Sequence, residues 1–488
     1  LKEGRKTPQV PLTIKKDVPR STVLIIQERF LNLPGVMANW EPGREYLYGP
    51  LLSHILGYVG SIPREELENY LSVKGAYYDQ NDMVGRMGLE RTYEDYLRGQ
   101  KGRQLVEVDA NEQKLRVLAE EVPRPGNSLI LTLDLDLQQA AEAALRRGME
   151  AAASQSGVAI AMDPRNGDIL AMVSLPSYDD NLFTGGIEPE KLEKLLSDPR
   201  NPLLNHAIGG QYPPGSTIKP LVAVAALEEG VLDSHTQLNC AGTLRVPHRY
   251  FPHDPSKAQS FYCWRRAGHG NIALEEAIAQ SCDIFFYQVG GGYQEFKGLG
   301  LERLAHWLGL FGLGEEAGMA LPGEAEGLVP SAEWKEATYG EPWFLGDTYN
   351  ASIGQGFFLL TPLQLLNAVS AIANNGSLLH PRLVQEVRDP EGGLLLALHP
   401  RIIRQLGVSA ENLELVRRGM HAAVTRGTAR RAALPSIEVA GKTGTAEYAG
   451  PRDAQGNLPS HAWFVAFAPL ESPEIAVVVF VEGGGEGS

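Results

Sequence analysis

Cysteine is scarce: three residues in 488, far too few for a disulfide framework. Basic charge is short as well. Lysine and arginine total 44 against 59 aspartates and glutamates, a formal net charge of −15, which argues against a nucleic-acid partner, since that needs a basic face. No apolar run approaches the roughly 18 residues of a membrane span. The strongest, Ile475 to Val481, has only strand length. The chain opens Leu1-Lys2-Glu3-Gly4, with no methionine and no basic-then-apolar secretory signal, a start that looks like the interior of a longer protein. Internal repeats and low-complexity tracts are lacking too.

What remains is ordinary globular composition, 43% apolar and 21% charged. At roughly 150 residues per domain the length suits two large domains or three smaller ones.

Residues 1 to about 125 read as short mixed elements. A helix carries Leu67 and Tyr70 on one face after the start signals Ser61 and Pro63. A second, over 85–97, aligns Leu89, Tyr93 and Leu97, and a strand follows at 104–108. Val122-Pro123-Arg124-Pro125-Gly126 is a natural boundary, giving domains 1–125 and 126–488. Beyond it come a strand at 129–133, a long helix from Asp136 to about Ala153, and two apolar runs, 158–162 and 168–173. The Asn166-Gly167 between those runs signals a hairpin. The pattern is then largely helical until strands return at 437–448, 462–468 and 475–481. Strands at both ends with helices between predict an α+β fold, one antiparallel sheet packed against helices.

Three segments carry chemistry. Ser216-Thr217-Ile218-Lys219 opens an apolar helix, and the spacing of three puts Ser216 and Lys219 on one face. At a helix start the dipole stabilises developing negative charge. A serine hydroxyl becomes a good nucleophile when a neighbour such as a desolvated lysine takes its proton. A lone Ser-x-x-Lys is usually a capping serine and a surface lysine. Here, however, the helix is too apolar for a surface, and no other serine in the chain has a lysine three residues on. Ser281-Cys282-Asp283 offers a second hydroxyl and an acid at the end of an amphipathic run. Lys442-Thr443-Gly444-Thr445 lies in a strand, where a bare glycine marks close approach of another backbone. Such a strand is equipped to hold an extended anionic peptide by β-addition.

Ser-x-x-Lys, Ser-x-Asp and Lys-Thr-Gly, in that order, resemble the penicillin-recognising serine enzymes. The resemblance extends further. Gly85-x-x-Gly88-Leu89-Glu90-x-x-Tyr93 and Leu97-x-Gly99-x-x-Gly102 are similar to the non-catalytic pedestal of class B penicillin-binding proteins. Gly354-Gln355-Gly356, Thr361-Pro362-Leu363-Gln364, Ala373-Asn374-Asn375-Gly376 and His461-Ala462-Trp463-Phe464-Val465 are similar to signatures of that family's transpeptidase domain. Ser-x-Asp followed by Ile284 to Val289 resembles the elongation-type members.

The resemblance implies a penicillin-binding transpeptidase fold behind a smaller mixed pedestal, and a peptidoglycan D,D-transpeptidase inhibited by β-lactams. It makes Ser216 the nucleophile, Lys219 the base, and Ser281 with Lys442 a proton relay, while Asp283 orients the middle motif. Thr443, Gly444 and Thr445 bind the stem peptide, and the Ser216 and Thr445 amides form the oxyanion hole. No cofactor is required for catalysis. The implied partners are stem peptides, β-lactams and a SEDS-type glycan polymerase reached through the pedestal and a membrane helix. The implied location is the cell membrane, single-pass, with this domain on the periplasmic or extracellular side and the anchor outside this chain. A D-alanyl-D-alanine carboxypeptidase or β-lactamase fits the three motifs but leaves the first 125 residues unexplained. A β-lactam-binding sensor or scaffold would be expected to lack a motif residue, and none is lacking.

Cys240, Cys263 and Cys282 fall within 43 residues with His269 among them, separated by 22, 5 and 12 residues. Cys3His is an accepted tetrahedral zinc set, and some elongation-type relatives carry a structural zinc near Ser-x-Asp. The alternatives are a Cys240–Cys263 disulfide with free Cys282, or three buried thiols. His253 and Asp254 are substitute ligands, but prolines on both sides suggest an exposed turn. His461 reads as packing, and Trp463 as core ahead of cleft wall.

Overall fold

The computed structural model describes residues 14–487 except 16–17, 30–31, 34, 37, 39–42, 74–77, 79–81, 110–113, 248–250, 252 and 453–455. The opening of the expected pedestal, residues 1–13, therefore lies outside the described residues.

The larger domain is organised by a five-stranded antiparallel sheet. Its strands are β1 (Gly157–Met162), β2 (Ile169–Leu175), β3 (Ala440–Glu447), β4 (Ser460–Ala468) and β5 (Ile475–Val481). Their spatial order is β3-β4-β5-β1-β2, so the first two and last three strands meet as the sequence pattern predicts. Period-2 alternation sorts the side chains. Val158, Ile160 and Met162 enter the main core, while Ala159, Val173 and Leu175 pack with Leu145 and Met149 of helix α1 (Leu135–Ala151). Both faces are covered, which is why every residue of β1 is buried.

Between the two strand groups lie α2 (Lys219–Glu228), α3 (Asp283–Gly291), α4 (Ala332–Tyr339), α5 (Leu345–Ser352), α6 (Pro362–Ala373) and α7 (Ala410–Thr425). α2 is buried from Lys219 through Leu227, the signature of a helix that is apolar all round. α6 is wholly buried and starts with a reciprocal cap. The Thr361 hydroxyl accepts from the Gln364 amide at 3.2 Å, and Gln364 Oε1 accepts from the Thr361 amide at 2.9 Å, which gives the Thr-Pro-x-Gln signature its physical reason.

The middle is less purely helical than the periodicity predicts. Gln237–Cys240 pairs with Gly270–Ala273, Thr243–Val246 with Gln259–Tyr262, and Ser377–Leu379 with Ile402–Gln405. These strands are only three or four residues long, too short to leave an alternating pattern. The strand expected at 129–133 forms over Ser128–Leu131, but it pairs with Val384–Arg388 rather than joining the main sheet.

In the pedestal, Leu67 and Tyr70 of the Arg64–Val73 helix pack on Ile62, Tyr78 and Val84. The helix expected over 85–97 is instead a strand end followed by two short helices, Gly88–Thr92 and Glu94–Leu97. Gly88 has φ +59°, and its backbone lies so close to the Ile55–Gly57 segment that a Cβ there would sit 2.5 Å from the Gly57 nitrogen. The buried Glu94 carboxylate then turns back to accept the Gly85 amide at 2.8 Å. The Gly-x-x-Gly-Leu-Glu signature is thus a tight backbone crossing. The pedestal meets the larger domain through Tyr46, whose amide donates to Asn181 Oδ1 at 2.9 Å and whose carbonyl accepts from Asn181 Nδ2 at 3.0 Å.

Candidate active site

Ser216 does not open the α-helix itself. It sits in a single 3-10 turn, Gly215–Ile218, from which α2 continues at Lys219. The turn is tightened by Thr217 Oγ1 donating to the Pro214 carbonyl at 2.7 Å. The three-residue repeat of a 3-10 turn keeps Ser216 and Lys219 on one side. Ser216 is half-buried, whereas Lys219 is fully buried.

The turn is pressed against β3. A Cβ on Gly444 would lie 2.8 Å from Thr217 Cγ2 and 2.9 Å from the Pro214 carbonyl oxygen, so only glycine fits where the sequence has it. On the other side of the contact, Gly215 lies against the Thr445 carbonyl. Trp463, on β4 and 1% exposed, donates from Nε1 to the Pro213 carbonyl at 3.0 Å. It is core and also fixes the segment ahead of the serine.

Ser281 and Asp283 arrive from the junction between the Leu274–Ala279 helix and α3. Ser281 has φ +53°, a left-handed conformation uncommon for a residue with a side chain and often found where function demands it. Lys219 Nζ donates to Asp283 Oδ1 at 2.7 Å, the Ser281 carbonyl at 2.9 Å and Ser281 Oγ at 3.2 Å. Lys442 Nζ, also fully buried, donates to the same Ser281 Oγ at 2.9 Å and to the Thr443 carbonyl at 2.9 Å. Burial, and then the charge of Lys219, push the Lys442 amine well below the ordinary lysine range, with Asp283 pulling the other way. Desolvation and a like charge both favour the neutral amine.

β3 is an edge strand, with β4 on one side and no strand on the other among the described residues. Thr445 is exposed, and its hydroxyl accepts from the Gly487 amide at 3.2 Å. Thr443 is mostly buried, with its hydroxyl 2.8 Å from Thr428 Oγ1. The predicted Ser216, Lys219, Ser281, Asp283, Lys442, Thr443, Gly444 and Thr445 therefore converge on one edge.

Three neighbours were not legible as site residues. Thr428 adds a third hydroxyl. Gln355, inside the Gly-Gln-Gly signature, donates from Nε2 to the Thr445 carbonyl at 3.3 Å. Trp264 gives its backbone N–H to Asp283 Oδ2 at 2.9 Å, so both carboxylate oxygens are engaged.

The cysteine cluster lies directly behind this junction. Cys240, Cys263, His269 and Cys282 bring one ligand atom each within 4.8 Å of the others. His269 Nδ1 is 3.5 Å from Cys240 Sγ and 3.6 Å from Cys263 Sγ. All three thiols are buried and free, and no disulfide joins them. Hydrogen bonding with the Cys282 thiol lowers Cys240 and Cys263 towards the thiolate, while Cys282 is raised. His253 is exposed and Asp254 caps its own turn, its carboxylate accepting the Ser256 amide at 3.0 Å, so neither joins the cluster. His461 is buried beside Tyr448, and burial lowers its imidazole to about 4, which suits packing rather than acid catalysis.

The penicillin binding protein transpeptidase domain matches residues 157–488, and the penicillin-binding protein dimerisation domain matches residues 1–131. The peptidoglycan D,D-transpeptidase MrdA of Acinetobacter baumannii is 36% identical over 495 residues, covering all of this chain and 70% of that protein. PBP2 from Helicobacter pylori, solved in complex with MreC, superposes with a TM-score of 0.77 at 32% identity, covering 96% of this chain and 80% of that one. A chain from a peptidoglycan synthase complex that coordinates polymerization and crosslinking superposes with a TM-score of 0.79 at 31% identity, covering 99% and 80%. The chain belongs to the penicillin-binding protein transpeptidases, in the elongation-type PBP2 (MrdA) branch.

Proposed function

We infer that this protein is a serine-type peptidoglycan D,D-transpeptidase that cross-links stem peptides during cell elongation and is acylated and inhibited by β-lactams. One observation carries the reading: a single hydroxyl, Ser281 Oγ, held between two buried amines beside the turn that presents Ser216. Ser216 Oγ attacks the penultimate D-alanine carbonyl of a pentapeptide stem. The new C–O ester bond forms as the C–N bond to the terminal D-alanine breaks.

The Ser216 proton passes to Lys219 as Lys219 yields one of its own to Ser281 Oγ and Ser281 yields its proton to neutral Lys442. The path runs backwards to protonate the departing D-alanine amine. Lys219 stays paired with Asp283 throughout, and the charge that Lys442 gains midway is balanced by the negative oxygen of the tetrahedral intermediate. The Ser216 and Thr445 amides serve as oxyanion donors, typically worth about 3 kcal/mol each in such sites. The stem adds to the free edge of β3, with its terminal carboxylate at the Thr443 and Thr445 hydroxyls and Thr428 behind them. The amine of a neighbouring stem then resolves the ester into a cross-link. The test is a labelled pentapeptide donor with an amine acceptor: transfer to the acceptor with loss of D-alanine is expected, and hydrolysis alone would favour a carboxypeptidase.

Cys240, Cys263, His269 and Cys282 are proposed to hold one structural zinc. Three thiols and an imidazole are the right donor set, and their ligand atoms lie within 4.8 Å of one another, close enough to share one ion. When bound, the metal supplies a rigid tie between the segment carrying Trp264 and the segment carrying Asp283. Elemental analysis without chelator should give one zinc per chain, and its absence would remove the site.

We further propose a SEDS-type glycan polymerase as partner, reached through the pedestal, with this domain outside the cytoplasmic membrane on a single-pass anchor; the likeness to a chain of a synthase complex that coordinates polymerization and crosslinking supports a polymerising partner. Exposed pedestal substitutions should then change polymerase activity without changing penicillin labelling. Unchanged polymerisation across the pedestal surface would count against it.

A further inference from the structure

Apart from the acylation cluster, α4, α5 and the loop after α5 gather aromatic rings around one buried amine. Lys335, 3% exposed, donates from Nζ to Asp347 Oδ2 at 2.7 Å, and the same oxygen accepts the Phe344 amide at 2.8 Å. The amine lies 4.7 Å from the ring centre of Phe344 and 5.5 Å from that of Phe357. Phe357 in turn packs 5.0 Å from Tyr339 and 5.4 Å from Trp334. This base is rigid, because the ion pair and the cation–π contacts fix the rings from below. The upper side is not covered: Tyr339 is 55% exposed and Phe344 45%. Adjacent large aromatics held in water on a stiff base are the kind of exposed patch that marks a binding surface.

The patch is continuous with the cleft. Phe357 follows two residues after Gln355, whose side chain bonds the Thr445 carbonyl on β3. Just past the C-terminal end of α5, Gly354 packs against the serine turn, where a Cβ would lie 2.2 Å from the Gly215 oxygen, and Phe344 caps the other end of this eight-residue helix, about 12 Å away at about 1.5 Å per residue. A stem extended along β3 advances about 3.3 Å per residue, and its four residues between the reacting carbonyl and the sugar cover about 13 Å. The two lengths match.

We propose that Tyr339, Phe344 and Phe357 form a saccharide shelf that seats the N-acetylated glycan strand bearing the stem peptide. Aromatic faces carry the negative side of the ring quadrupole and accept the weakly positive C–H face of a pyranose ring. The shelf rests on the transpeptidase reading for its substrate and supplies what the β3 edge lacks, a grip on the sugar rather than on the peptide. It separates polymeric substrate from free stem peptide.

The test uses amidase-trimmed glycan strands, free of stem peptides, titrated into the protein and followed by Trp334 fluorescence and saturation-transfer NMR. Saturable binding is expected, weakened about tenfold or more in Tyr339→Ala and Phe344→Ala and retained in Tyr339→Phe and Phe344→Tyr. In the two alanine variants, turnover of polymeric peptidoglycan should fall while the rate of penicillin acylation and the turnover of a free pentapeptide stay unchanged. No saturable glycan binding to the wild type, or equal binding by the alanine variants, overturns the shelf. Failure of the wild type to be acylated by penicillin would instead overturn the transpeptidase reading, and the glycan titration reports independently of it.

Discussion

Lys219 and Lys442 share one hydroxyl: Ser281 Oγ lies 3.2 Å from the first amine and 2.9 Å from the second. Among the described residues one carboxylate, Asp283, compensates them, and it bonds Lys219. The pair therefore divides its labour, one amine ion-paired and the other held towards neutrality by burial and its neighbour's charge.

That division predicts an opposition between stability and activity at Lys442. Its folded pKa lies below the unfolded value, so between the two the unfolded chain binds the extra proton and stability rises with pH. Below that window the buried amine must carry a charge, and it opposes folding. Lys442→Met should raise the melting temperature near neutral pH, reflecting a stabilisation on the order of 1–2 kcal/mol, while cutting penicillin acylation by at least about a hundredfold. Lys442→Arg fixes a positive charge at the buried site and cannot accept a proton, so it should lose the acylation without gaining the stability. Scanning calorimetry and stopped-flow acylation check both.

Asp283 should behave in the opposite way. Asn in its place keeps the Trp264 bond geometry but leaves the fully buried Lys219 ammonium without its partner. Breaking a buried pair from one side commonly costs about 3 kcal/mol or more. Asp283→Asn is expected to lower both the melting temperature and the acylation rate, and an unchanged melting temperature would deny the pairing.

The acyl-enzyme should be long-lived. Both Asp283 oxygens are occupied, by Lys219 and by the Trp264 amide, so this carboxylate is not free to activate water. Penicilloyl-protein followed by intact mass should persist over hours, and rapid return to the free mass would indicate a hydrolytic base among the neighbouring groups.

At the pedestal junction, Asp180 is fully buried, and neither oxygen has a hydrogen-bond partner among the described residues. Burial, and then Asp179 and Glu90, raise its carboxyl to about 8. A raised acid binds its proton in the folded state, so it costs stability as pH rises from the ordinary carboxylate range through about 8. Asp180→Asn should therefore stabilise the protein at pH 8, with the gain shrinking towards pH 4 and penicillin labelling unchanged. A gain independent of pH would assign the effect to packing.

Much of the site was legible in the sequence because its chemistry is concentrated in short motifs. Ser216 and Lys219 sit one turn apart whichever helix type forms, and Lys442, Thr443 and Thr445 keep their strand alternation. Glycine at 444 marked a close approach that proved to be the Thr217 methyl and the Pro214 carbonyl. What stayed hidden rests on backbone groups meeting across long separations. The Trp264 N–H to Asp283 bond and the Gln355 to Thr445 carbonyl bond use side chains or amides with no local spacing to reveal them. The pairing of Ser128–Leu131 with Val384–Arg388 is invisible for the same reason. The break near Tyr93 was missed because the apolar period runs on through it, while the Gly88 crossing and the Glu94 bond, both tertiary, decide the geometry.

The most direct test of the central claim is peptide mapping after covalent labelling with a fluorescent penicillin. One adduct per chain is predicted, on the peptide containing Ser216, and none in Ser216→Ala with its fold intact by circular dichroism. An adduct on any other residue, or undiminished labelling of Ser216→Ala, would contradict it.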